Sequence, residues 1–268
     1  MAAGSWYKMS PEGWRRSKHA LLYAAAAIIL LQLGIGWYWS REPEIFWVSE
    51  NADGERTVVG YPTTDTLIRV AEHLLDKPGG YLTNDVTPPS VFLDNIPNWE
   101  FGVLQQVRDL AQVVRNDYSR SQSQSREDPD VAAAQPGFFI DNNSWAFPRA
   151  EAEYRAAIEG FRSYRDRLSG IGETEARFFA RADNLREWLA QVEKRLGSLS
   201  RRLGDSVTTT VINTDLAGDP SAATSSTLQD NVPVRTSWFE IDDVFYEARG
   251  TSFALVHFFR AAEFDFAQ

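Results

Sequence analysis

From Ala20 to Trp39 the chain reads ALLYAAAAIILLQLGIGWYW, with Gln32 as its one strongly polar side chain. At about 1.5 Å per residue, such a run matches the roughly 30 Å hydrocarbon core of a bilayer. A core helix of a soluble protein normally keeps a polar face, and this run has none. A cleaved signal peptide has a shorter apolar region followed by small residues. Here Ala24 to Ala27 come early, and Trp37-Tyr38-Trp39 fills the place where cleavage would fall. The pattern predicts a retained transmembrane helix over 20–39, with Ala20, Leu31, Trp37 and Trp39 among the anchoring residues.

Beyond this run the apolar positions recur mostly at helical spacing. Residues 40–62 read as a connector, in which 46–48 and 57–59 are candidate short strands around Asp53-Gly54. Pro62-Thr-Thr-Asp opens a helix with Thr63 or Thr64 as N-cap, Leu67, Ala71, Leu74 and Leu75 as its inner face, and Pro78-Gly79-Gly80 as its stop. An irregular Pro- and Asn-rich stretch over 81–98 leads to a helix from about Trp99 to Tyr118. Tyr154, Ala157, Phe161, Tyr164 and Leu168 mark another helix. Phe178, Ala182, Leu185, Leu189, Val192, Leu196, Leu199 and Leu203 mark the next, as a coiled-coil-like heptad seam. Gly170 and Gly172 separate these two, which predicts an antiparallel helical hairpin rather than one rod over 154–203. The last helix begins near Ser237 and carries the stripe Trp238, Ile241, Phe245, Ala248, Ser252, Leu255, Phe259, Ala262 and Phe266, widened by Tyr246, Phe253 and Val256. Residues 119–136 and 205–236 are polar and read as flexible loops, with a local strand at about 207–212.

The expected fold class is thus mostly α: a single N-terminal transmembrane helix, then an α-helical bundle with a long helical hairpin. Residues 1–19 form a tail, 40–62 the connector and 63–268 the helical domain. The chain ends at Phe266-Ala-Gln without a capping glycine, which suggests that it continues in the native protein.

Charge gives the membrane helix a direction. Four Lys/Arg and one acid lie within residues 1–19, which leaves 23 basic against 36 acidic side chains beyond the run. Lys and Arg are retained on the cytoplasmic side, so the N-terminus should stay inside and the acidic domain should be exported. That domain is a poor ligand for nucleic acid, whose phosphates need cations. The chain has no cysteine, which removes disulfides, thiol catalysis and Cys-ligated zinc.

Candidate chemistry is sparse, and no cofactor is expected. Asp94, Asn95, Asn98, Trp99 and Glu100 mix an aromatic with amides and acids, as glycan and peptide sites often do. The plainer reading of that patch is a helix entry with Asn98 as cap and Trp99 in the core. Asp243 and Glu247, one turn apart beside Asp242, are weak candidates to share a cation; acids favoured by a helix N-terminus, with Glu247 pairing a nearby Arg, are the plainer reading. His73 and His257 stand among apolar neighbours and have no partner at a recognised ligand spacing.

Three blocks carry a family resemblance: YPTTDTLIRVAEHLLDKPGGYLTNDVTPPSVFLDNIPNWEFGVL, RFFARADNLREWLAQVEKRLGSLSRRL and DDVFYEARGTSFALVHFFRAAEFDF. With the N-terminal anchor, they resemble an uncharacterised family of bacterial inner-membrane proteins, domain of unknown function family 2333. The resemblance implies a Gram-negative envelope setting, with the domain in the periplasm, and carries over no catalytic residue. The expected role is a scaffold or accessory subunit with a protein partner in the membrane or periplasm, self-association included, rather than an enzyme. A periplasmic cell-wall glycan-binding module or hydrolase, and an adaptor of an export complex, are the alternatives.

Overall fold

A computed structural model of the chain describes residues 11–48, 58–120, 126–172, 174–207, 209–212, 231–234 and 241–267. The turn around Asp53-Gly54, most of the 205–236 loop and Trp238 lie outside the described residues. Seven α-helices are described: α1 Pro11–Trp39, α2 Tyr61–Asp76, α3 Asn95–Val113, α4 Pro129–Ala134, α5 Ala150–Leu168, α6 Ala182–Val207 and α7 Ile241–Phe266. Strands β1 Thr209–Ile212 and β2 Asn231–Val234 pair antiparallel, with Thr209 opposite Val234. The fold is mostly helical, as the spacing predicts.

Helix α1 contains one segment, Lys18–Trp39, long and apolar enough to cross a membrane. Leu21, Leu22, Ile28, Leu30 and Leu31 all point outward. The rest packs around a core that runs through α2, α3, α5 and α7.

Helix α2 begins at Tyr61 after Gly60, whose φ of 92° suits the residue without a side chain. The expected Thr cap is not used. Instead the Asp265 carboxylate, from the far end of α7, accepts from Gly60 N at 2.7 Å, Thr63 N at 3.0 Å and Thr63 Oγ1 at 2.5 Å. It meets the free N–H groups and the positive end of α2. The inner face Leu67, Ala71, Leu74 and Leu75 is buried as its spacing requires.

Helix α3 starts four residues earlier than expected, capped by Asp94 rather than Asn98. It ends in a wider π turn over Val114–Tyr118. Helices α3 and α7 make the most extensive pair and run parallel, with Asn98 beside Asp243 at one end and Tyr118 beside Phe266 at the other. Their backbones touch through glycines: a Cβ on Gly102 would lie 2.1 Å from Glu247 O, and one on Gly250 2.0 Å from Trp99 O. This contact turns α7 only partly away from the predicted stripe: Phe253, Leu255 and Ala262 are buried as expected. Gly250, Ala254, His257, Phe258 and Ala261 are buried, while Phe245, Val256 and Phe259 stay exposed.

The hairpin expected over 154–203 is not what forms. Helix α5 packs on α2 and α4, whereas α6 packs on α7 and the edge of α3. Helical spacing shows that each helix has an apolar face, not which helix it meets. Arg155 pairs with Asp76 and Arg165 with Asp65, so α5 runs antiparallel to α2. Trp188 meets Phe259 and Arg202 meets Glu247, so α6 runs antiparallel to α7. Between α5 and α6 the chain turns at Gly170 (φ 78°) and continues without helix; Phe178 there packs on Tyr118 at 4.8 Å. Residues 121–125 of the expected loop at 119–136 are outside the described set, and the rest of that stretch carries α4.

Candidate functional site

The stretch after α2 is built around a buried ion pair. Lys77 Nζ lies 2.5 Å from Glu100 Oε1, and neither side chain is exposed. Glu100 also accepts from Leu82 N at 2.9 Å, from Thr83 N at 2.8 Å and from the Thr83 hydroxyl. Lys77 donates to the Gly80 carbonyl. Burial pushes the Glu100 carboxyl above its usual range, while Lys77 and these hydrogen bonds pull it down. The charge is thus spent on holding residues 77–83 in place, because a buried carboxylate needs all of its partners.

Of the predicted patch, Trp99 and Glu100 are fully buried, Trp99 against Phe253 at 5.3 Å between ring centroids. They face the core and offer nothing to a ligand. Asp94 stays exposed, and Asn95 and Asn98 are half-buried. Asn98 donates to Asp243 Oδ1 at 2.7 Å and ties α3 to α7. Glu247 is held by Arg202 through two hydrogen bonds of 2.7 and 2.5 Å. Asp243 and Glu247 therefore link helices. Among the described residues no group of three or more His, Asp or Glu is placed to hold a metal ion.

What this region does hold is the end of α1. Trp39 lies over Gly79, where a Cβ would come within 2.7 Å of the indole, and Gly79 has a φ of 86°. One turn back, Gly36 is buried, at 3.6 Å from Pro89 and 3.7 Å from Leu93 as measured from a Cβ placed on it. The anchoring residues divide accordingly: Ala20, Leu31 and Trp37 face outward, and Trp39 packs partly against the core.

The chain then climbs the bundle as a strap over residues 41–48. Glu42 pairs with Arg249 at 2.9 Å. Phe46 stacks on His257 at 3.9 Å, and its N–H donates to His257 Nε2 at 3.1 Å. His257 Nδ1 lies 2.6 Å from the Phe253 carbonyl, which can only accept. These two bonds define the neutral Nδ1–H tautomer. Burial lowers the His257 pKa from 6.5, and His73, Arg260 and Arg69 lower it further against the pull of the Phe253 carbonyl. The Arg69 guanidinium covers the Phe46 ring, and Arg260 covers Trp47. A histidine among apolar neighbours gave no hint of a partner 211 residues away.

A polar groove of about 540 Å³ opens between α3, α6 and α7, lined by Gln105, Asp109, Gln191, Arg195, Ser198 and Arg202. Arg195–Asp109 and Arg202–Glu247 pairs cross it and join helices, and Lys194 also lines it.

A family model described as an uncharacterized protein conserved in bacteria (DUF2333) matches residues 13–268, and the chain belongs to that family. No curated protein and no solved structure matches the chain.

Proposed function

We propose that this DUF2333 chain is a single-pass inner-membrane protein with a cytoplasmic N-terminus, whose helical domain stands in the periplasm as a scaffold or accessory subunit for a protein partner. The anchor reading is supported by the outward-facing apolar surface of α1 and by the basic residues before it. The partner reading rests on α6. Trp188, Val192 and Leu199 are buried, while Leu189 and Leu196, seven residues apart, are 41% and 39% exposed. A heptad line left half-used along a charged helix is the surface that a second helix covers.

A photocrosslinking residue at Leu189 or Leu196 in the full chain, activated in intact cells, tests this. Discrete adducts, with another protein or with a second copy, are expected at those positions and not at Ile171, which is 66% exposed. Labelling at Leu189 and Leu196 no stronger than at Ile171 removes the partner reading. The glycan-binding alternative would have to do without Trp99 and Glu100, which lie in the core.

A further inference from the structure

The exposed large apolar side chains outside α1 include a group gathered where α1 meets the bundle. Three lie on the segment that receives α1: Val86, Val91 and Phe92, with Phe92 78% exposed. Two more, Trp145 and Phe147, lie on the loop before α5, with Phe147 wholly exposed. That loop is tied to the first segment, since Tyr81 Oη donates to Asn142 O at 3.2 Å and Asn84 Nδ2 to Ser144 O at 2.8 Å.

The depth of this surface follows from its contacts. Gly36 touches Pro89 and Leu93, and Gly36 belongs to the apolar segment Lys18–Trp39. Trp37 and Tyr38, in the same turn, face outward with the Arg41 guanidinium 4.2 and 5.8 Å from their rings. In a spanning α1 that turn lies at headgroup level, where amphipathic rings collect. Val91 and Phe92, between those two contact residues in the chain, then lie at the same level. A soluble surface rarely gathers so many bulky apolar groups without a partner.

We propose that loops 86–93 and 144–148 form a foot that inserts Phe92, Phe147, Val91 and Trp145 into the headgroup boundary of the bilayer beside α1. The ligand is lipid, and the driving force is apolar burial. Asp85, Asp94 and Asp141 border the loops and the bordering Arg149 pairs with Glu151, so anionic headgroups add little attraction. The foot would hold the bundle against the membrane at two places instead of letting it pivot on the connector. This inference rests on the anchor reading of α1.

The absence of cysteine makes the test direct. The full chain is placed in phosphatidylcholine nanodiscs with a single environment-sensitive fluorophore at Phe92→Cys, Phe147→Cys, Leu30→Cys or Ile171→Cys. Ile171 follows α5, at the end away from α1 and about 24 Å up the length of α2. The foot predicts blue-shifted emission at Phe92→Cys and Phe147→Cys, with quenching by headgroup-proximal lipid spin labels several-fold above that at Ile171→Cys. Lipid quenching at Leu30→Cys with solvent-like signals at Phe92→Cys and Phe147→Cys overturns the foot and leaves the anchor. A solvent-like signal at Leu30→Cys as well overturns the anchor, and the foot with it. Unchanged circular dichroism across the four variants shows that each reports on the folded chain.

Discussion

At the residue scale, His257 makes the strap pH-dependent. The docked strap needs neutral imidazole, because Nε2 accepts from Phe46 N–H. Burial of the ring disfavours a second proton, and so do the neighbouring His73, Arg260 and Arg69. The docked pKa lies below 6.5, so undocked chain binds a proton that docked chain does not. Docking stability is therefore fully present above the ordinary histidine range and is lost as pH falls through the lowered value. The protection factor of the Phe46 amide against hydrogen exchange should drop between about pH 7.5 and about pH 5, and the drop should vanish in His257→Leu. A wild-type protection factor flat across that range would remove the latch. Asp265 acts similarly as a distant partner: its role at Gly60 and Thr63 depends on a contact across some 200 residues, which spacing alone does not reveal.

At the element scale, the glycine contact between α3 and α7 sets the bundle. Gly250→Ala would drive a methyl into the Trp99 carbonyl region, and only separation of the helices could relieve it. The expected cost is about 2–3 kcal/mol, read as a lower midpoint in denaturant, with Gly204→Ala, which meets nothing within 4 Å, close to neutral or stabilising. Equal effects from both would mean that the close approach does not matter. The same contact explains where the sequence was legible and where it was not. Helices α2, α3 and α5 pack mainly through bulky residues, so their periodicity announces the buried face. Helix α7 buries Gly250, Ala254 and Ala261 beside the expected Phe253 and Leu255, while the expected Phe245 and Phe259 fall on its flank. The α5–α6 hairpin failed for a related reason: two good seams with a glycine turn between them look alike whether they meet each other or other helices. At the patch, Trp99 in the core is the plainer of the two sequence readings. The buried Lys77–Glu100 pair was not legible, because an ion pair leaves no periodic trace.

At the scale of the whole molecule, the C-terminal end of α1 meets the bundle at one end. The N-termini of α3, α5 and α7, the C-terminus of α2 and the dock for Trp39 all gather there. On the proposed reading, function in this arrangement is positional: the domain would be held close to the membrane surface, with α6 along its flank and the foot beneath. The central claim is that residues 1–19 and the helical domain lie on opposite sides of the inner membrane. Single cysteines at Lys8 and Ile171 in otherwise native chain test it directly, using a membrane-impermeant maleimide on cells whose outer membrane has been opened. The account predicts rapid labelling of Ile171→Cys in intact cells and of Lys8→Cys only after lysis. Labelling of Lys8→Cys first, or of both together without lysis, would contradict it.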